Sequence, residues 1–63
     1  MTTTTNQRIL VVDDEAPIRR YLRAALSAQG FTVYESASGE EALQAVLSHR
    51  PDIIILDLGL PDI

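Results

Sequence analysis

The chain has 63 residues, a formal net charge of −4 from nine acidic residues and five arginines, and neither cysteine nor lysine. This length allows at most one domain, and without cysteine neither a disulfide framework nor a cysteine-based zinc site can stabilise it. The acidic balance argues against a nucleic-acid-binding surface. The polar start MTTTTNQ is neither a signal peptide nor a membrane anchor. We therefore expect a cytoplasmic domain preceded by a flexible tail over residues 1–7.

The first part of the chain predicts a strand, a helix and a second strand. Residues 9–12 are a continuous aliphatic run that ends at Asp13, which is typical of a strand covered on both faces. Over residues 16–29 apolar side chains recur at helical spacing, with Pro17 near the start and Gly30 just past the end. Residues 31–35, FTVYE, mix β-branched and aromatic residues with polar ones, which predicts a short edge strand.

The second part predicts a helix and a third strand. Ser38 and Glu41 have the spacing of a capping box, in which each side chain accepts a hydrogen bond from a free amide at the helix start. The helix has an apolar stripe of Ala42, Leu43, Val46 and Leu47 and stops at Pro51. Residues 52–58 then form a third strand, which we expect to be fully buried.

Strands and helices that alternate in this way predict an α/β fold with a parallel sheet and two right-handed crossovers. The partly polar second strand belongs at the edge, so the expected order is two, one, three, with the helices on opposite faces. The winding reverses between strands one and three, and open α/β sheets hold their ligands at the carboxyl ends of such strands. Asp13, Asp14 and Asp57 should meet there.

Three carboxylates at one crevice repel one another unless a cation shares their charge. Magnesium fits, because it prefers oxygen ligands and commonly uses one or two carboxylates. Asp57 could then attack phosphorus as a nucleophile and form an aspartyl phosphate. A plainer interpretation stays open, in which the acids after strand one only favour a helix N-terminus and Asp57 only forms a turn before Gly59.

Other site types find less support in the sequence. The turn after strand one, VVDDEAPIRR, contains no glycine, which excludes a dinucleotide fingerprint or a P-loop there. His49 lies at the wrong end of its helix to reach the crevice, and we expect it to be a surface residue that complements the helix dipole. We expect the three arginines of the first helix to form a solvated face, the alternative being that they help to receive an acidic partner: Arg19, Arg20 and Arg23.

Two stretches, ILVVDDEAPIRRYLRAAL and PDIIILDLGLPDI, resemble the receiver domain of bacterial two-component response regulators. DLGLPD is most similar to the OmpR/PhoB-type transcriptional regulators, in particular the branch that controls the Kdp potassium-transport operon. The resemblance implies a flavodoxin-like (CheY-like) fold in which Asp57 accepts a phosphoryl group from a sensor histidine kinase. It also implies that Asp13, Asp14, Asp57 and the backbone carbonyl of Gly59 bind Mg²⁺.

The sequence also departs from the receiver pattern. That family uses a Ser or Thr after a fourth strand and a Lys after a fifth, and this chain has no lysine. We therefore expect residues 8–63 to be the N-terminal half of a receiver, inactive alone, with DNA contacts in a separate C-terminal domain. A third strand left at an edge should promote self-association.

Two rival functions remain. In the first, the chain is an acidic pseudo-receiver or adaptor that pairs with proteins and never takes phosphate. In the second, it is a fragment of a magnesium-dependent phosphohydrolase, which is disfavoured because the Asp-x-Asp motif expected after the first strand is absent. We therefore expect a phosphoacceptor rather than an enzyme.

Overall fold

A computed structural model describes residues 7–56 of the chain. The elements follow the predicted order: β1 (Arg8–Val12), α1 (Ala16–Ala28), β2 (Thr32–Ser36), α2 (Gly39–His49) and β3 (Ile53–Leu56). Their bounds lie within about one residue of the predicted ones, which is the usual uncertainty at element ends. The predicted last two residues of the third strand, 57 and 58, lie outside the described residues, as do residues 1–6.

The three strands form one parallel sheet in the order β2-β1-β3, which confirms the predicted topology. Leu10 of β1 pairs with Tyr34 of β2 and with Ile54 of β3. The hydrogen bonds continue one residue before β1, where the Thr32 N–H donates to the Gln7 carbonyl at 3.0 Å. Gln7, which we had placed in the flexible tail, is therefore tied to β2.

The side chains of β1 alternate between two apolar layers. Ile9 and Val11 point to the face on which Leu22 and Leu26 of α1 pack. Leu10 and Val12 point to the opposite face, where Ala42, Ala45 and Val46 of α2 pack. The two helices thus cover opposite faces of the sheet, as predicted, and β1 is buried on both sides. No helix within residues 7–56 is both long and apolar enough to span a membrane.

The end of α1 depends on Gly30. The Gly30 N–H donates to the Ser27 carbonyl at 3.0 Å and the Phe31 N–H donates to the Leu26 carbonyl at 3.2 Å. Gly30 has φ +98°, a conformation that residues with a Cβ rarely adopt. The glycine therefore lets the chain turn directly from α1 into β2.

The predicted capping box at the start of α2 is confirmed. The Ser38 Oγ accepts a hydrogen bond from the Glu41 N–H at 3.2 Å, and the Glu41 carboxylate accepts one from the Ala37 N–H at 2.8 Å. Two amides that the helix itself cannot satisfy are paired in this way. The cap fixes the residue at which α2 begins after β2, and it thereby helps to set the position of α2 over β1.

The predicted burial of β3 is wrong for the described part of the strand. Its four side chains, Ile53 to Leu56, are 36–49% exposed, because the described helices pack on β1 and β2 and neither contacts β3. Leu43 and Leu47, two members of the apolar stripe of α2, are exposed as well. Instead, an open apolar groove of about 620 Å³ runs between α2 and β3, lined by Val12, Leu43, Val46 and Ile54 among others.

Candidate functional site

The acidic turn, residues 13–15, follows the buried strand β1. Its first residue, Asp13, is only 7% exposed, and its N–H donates to the Ser36 carbonyl at 3.1 Å. The Glu15 N–H donates to the Asp13 Oδ1 at 2.9 Å. This local bond is the turn that aspartate commonly forms with the backbone two residues on. Asp13 is therefore held by its backbone and by its side chain.

Asp14, the second acid of the predicted pair, is exposed. Asp13 and Asp14 thus lie at the carboxyl end of β1, one buried and one open to solvent. Val12 and Leu56 are partners in the sheet register, so β1 and β3 end side by side at this edge. The remaining predicted site residues, Asp57 and Gly59, lie outside the described residues. The structure thus brings together two of the predicted acids and does not test the other two positions.

Arg19 contacts the acidic turn, which our sequence reading missed. Its guanidinium donates to the Asp13 carbonyl at 2.8 Å and forms an ion pair with Glu35 at 3.3 Å. The prediction of a solvated arginine face is therefore wrong for Arg19, which is 19% exposed. Arg23 also pairs with Glu35, at 3.1 Å, but is 60% exposed, and Arg20 is exposed as expected. The only sequence signal was an acid in the second strand, Glu35, which is too general to name its partner.

His49 lies at the opposite edge of the sheet, as predicted. Its ring stacks on Tyr34 with centroids 3.9 Å apart and planes 9° from parallel. Its carbonyl accepts a hydrogen bond at 3.2 Å from the guanidinium of Arg8, the first residue of β1. His49 therefore helps close the amino-terminal edge of the sheet and does not reach the acidic turn.

The acidic turn offers oxygen donors of the kind that Mg²⁺ prefers. Within residues 7–56 the Asp13 carboxylate accepts one hydrogen bond, from the Glu15 N–H, and it forms no ion pair. A carboxylate with four lone-pair positions keeps acceptor capacity after one such bond. Residues 7–56 contain no group of three potential metal ligands, so the described acids could supply only part of a magnesium site.

The family model for the response regulator receiver domain matches residues 9–63. The chain belongs to this family. Receiver domains accept phosphoryl groups and work in two-component signalling, and a parallel sheet with helices on both faces is the fold expected for a piece of one. The match confirms the resemblance that the two motifs had indicated, and it covers both the acidic turn and Asp57.

Curated relatives agree with this assignment. The chain is 50% identical over 54 residues to the "Transcriptional regulatory protein KdpE" of Mycobacterium tuberculosis and 48% identical over 54 residues to the "KDP operon transcriptional regulatory protein KdpE" of Escherichia coli. Each match covers 86% of this chain and 24% of the relative. The "Sporulation initiation phosphotransferase F" of Bacillus subtilis is 38% identical over 56 residues, covering 89% of this chain and 45% of that protein. The chain thus spans about a quarter of the length of the KdpE relatives.

Proposed function

We propose that this chain provides the phosphoacceptor aspartate of a response regulator, and that Asp57 is that residue. The observation that carries the proposal is the receiver-family match over residues 9–63, which includes Asp57. The described geometry supports it, because β1 and β3 end side by side and Asp57 directly follows the last residue of β3 in the sequence. The acidic turn lies at the same edge of the sheet.

In the proposed reaction the Asp57 carboxylate attacks the phosphorus of a phosphohistidine on a sensor histidine kinase. The new P–O bond forms as the P–N bond breaks, and the bonding electron pair leaves with the imidazole nitrogen. The chain accepts the group and does not turn over an external substrate. In this proposal it is therefore a substrate of the kinase rather than an enzyme.

We propose Asp13, Asp14, Asp57 and the backbone carbonyl of Gly59 as the Mg²⁺ ligands. Bound Mg²⁺ offsets negative charge on the phosphoryl group during transfer. The contribution of Asp13 is an oriented carboxylate, because its backbone is fixed to β2 and its Oδ1 to the Glu15 amide. Exposed Asp14 can accept a cation directly from solvent.

The proposed output is control of transcription in the cytoplasm, since the KdpE relatives are named as transcriptional regulators. We propose that residues 8–63 act as receiver sequence only and that DNA is bound by other residues of the protein, because this segment is acidic.

We also propose that the isolated chain self-associates through β3. Support comes from the aliphatic side chains of β3, which are exposed on both faces of the strand.

Phosphoryl transfer can be measured by intact-mass spectrometry on the full-length gene product. The protein is incubated with acetyl phosphate or phosphoramidate and Mg²⁺, next to an Asp57→Asn variant of nearly the same shape. We expect one added phosphoryl group on the unaltered protein and none on the variant. No mass gain in the unaltered protein would overturn the proposal and favour a pseudo-receiver that acts by protein pairing alone.

A further inference from the structure

Arg19 connects the acidic turn to the neighbouring strand β2. Its Nη1 donates to the Asp13 carbonyl oxygen at 2.8 Å, and its Nε lies 3.3 Å from the Glu35 carboxylate. The planar guanidinium has donors in a fixed geometry, so one side chain can satisfy two acceptors without bending. Arg19 thus spans the space between the end of β1 and Glu35, the next-to-last residue of β2.

This bridge is shielded from solvent. The Arg19 and Glu35 side chains are 19% and 21% exposed, whereas Arg23, the second partner of Glu35, is 60% exposed. Ion pairs that are partly buried are screened less by salt and water than exposed ones. The contacts with Asp13 and Glu35 therefore hold the Arg19 guanidinium in one position.

Arg19 contacts the carbonyl of Asp13 and not its carboxylate. Among residues 7–56 the Asp13 carboxylate accepts one hydrogen bond, from the neutral Glu15 amide. An arginine bound to that carboxylate would compete with a metal ion for it. The observed contact fixes the backbone of the turn and leaves the carboxylate available, while Glu35 offsets the guanidinium charge.

We propose that Arg19 is a positioning residue that holds the acidic turn in the shape that binds the cation. The inference rests on the proposed function, because the cation is the Mg²⁺ of that proposal. Partners of metal ligands commonly set metal affinity without touching the metal. Arg19 acts in this way through the Asp13 carbonyl.

Electrostatics alone predicts the opposite effect of removing Arg19. A positive charge near the turn repels Mg²⁺, so loss of that charge by itself strengthens Mg²⁺ binding. Loss of the hydrogen bond from Arg19 to the Asp13 carbonyl weakens Mg²⁺ binding, because part of the binding free energy is then used to order Asp13. The sign of the change in affinity therefore distinguishes a positioning residue from a nearby charge.

The test is a Mg²⁺ titration of the full-length gene product by calorimetry, with Arg19→Met and the matched control Arg20→Met. Arg20 is the next residue, is exposed, and forms no ion pair within the described residues. We expect Arg19→Met to weaken Mg²⁺ binding about tenfold, the lower end of what such partners contribute. Arg20→Met should leave the affinity unchanged or slightly raise it.

Two further measurements separate positioning from a general loss of folding. Arg19→Lys keeps a donor for the Asp13 carbonyl and should restore most of the affinity. At saturating Mg²⁺, phosphorylation of Arg19→Met by acetyl phosphate should return close to the rate of the unaltered protein. Far-ultraviolet circular dichroism checks that each variant is folded. If Arg19→Met is not, Arg19→Ala, which also lacks a donor and favours the helix, replaces it.

The outcomes also separate this inference from the proposed function. Mg²⁺ affinity of a folded Arg19→Met or Arg19→Ala equal to or tighter than that of the unaltered protein overturns the positioning role, while phosphorylation of Asp57 still stands. An equal loss in Arg20→Met overturns it too, because the effect would then be common to substitutions on α1 and not specific to the contact with the Asp13 carbonyl. Failure of the unaltered protein to bind Mg²⁺ overturns the proposed magnesium site together with this inference.

Discussion

Strands β1 and β3 have nearly the same composition but very different surroundings. The β1 residues Ile9 to Val12 are at most 2% exposed, whereas the β3 residues Ile53 to Leu56 are 36–49% exposed. The strands are hydrogen-bonded neighbours, with Leu10 opposite Ile54 in the register. An aliphatic run therefore shows that a strand can be buried on both faces, but the elements packed on it determine whether it is.

The difference follows from where the helices lie. Among residues 7–56, α1 and α2 each contact β1 and β2, and neither contacts β3. β1 is thereby fixed between two helices and two strands, and it presents the acidic turn from a rigid base. β3 has one described strand neighbour, and its exposed side chains remain available for contacts with other protein surfaces.

The largest expected effect is a difference in stability between two register partners. Leu10→Ala removes a side chain that is fully buried and should lower the free energy of unfolding by about 3 kcal/mol. Ile54→Ala should cost about 1 kcal/mol, because half of that side chain is already in water. Urea unfolding of the 63-residue chain, at a concentration where it is monomeric, measures both. Equal losses would show that β3 is as well covered as β1.

The next effect concerns association of the 63-residue chain through β3. Ile54→Lys places a charge in the middle of the exposed strand, a common way in which natural edge strands avoid pairing. We expect it to raise the dissociation constant about tenfold or more, because the buried charge would have to be desolvated. Sedimentation velocity at several concentrations measures this. A folded monomer of the unaltered chain at micromolar concentration would contradict the proposed self-association.

A smaller effect is expected at the helix that covers β1 but not β3. Ser38→Ala removes the cap of α2 and should destabilise the chain by about 1 kcal/mol. Ser48→Ala, in the same helix but exposed and without a capping role, is the matched control. Thermal unfolding followed by circular dichroism gives the difference between them. If both variants unfold at the same temperature, the cap does not hold α2 in place.

The smallest effect is predicted for Leu47, the apolar α2 residue most exposed to solvent. At 80% exposure, Leu47→Gln should change the free energy of unfolding of the monomeric chain by less than about 0.5 kcal/mol. Val46→Ala, one residue earlier and packed against β1, should cost about 1 to 2 kcal/mol. Urea unfolding compares the two. A large loss for Leu47→Gln would mean that the groove between α2 and β3 is closed.

Much of the fold could be predicted from local sequence patterns. The run before Asp13, the capping box of Ser38 and Glu41, and Gly30 after α1 each act over a few residues, and each is found as predicted. The strand order also followed from composition, because the partly polar β2 belongs at an edge. These features depend on short-range chemistry that a single sequence displays directly.

The errors concern contacts between distant residues. Leu43 and Leu47 have the spacing of a buried stripe, but α2 is placed over β1 and β2, which leaves them exposed. Arg19 and Glu35 are 16 residues apart, and their pairing depends on how α1 packs against β2. No periodic pattern encodes such a pairing. The contact that we propose to position Asp13 therefore became visible only in three dimensions.

The central claim is that Asp57, and not an acid of the turn after β1, takes the phosphoryl group. An aspartyl phosphate is reduced by borohydride to homoserine, which marks the modified position permanently. The full-length gene product is treated with acetyl phosphate and Mg²⁺, reduced, digested and sequenced by tandem mass spectrometry. We expect homoserine at position 57. Homoserine at position 13 or 14, or at no position, would contradict it.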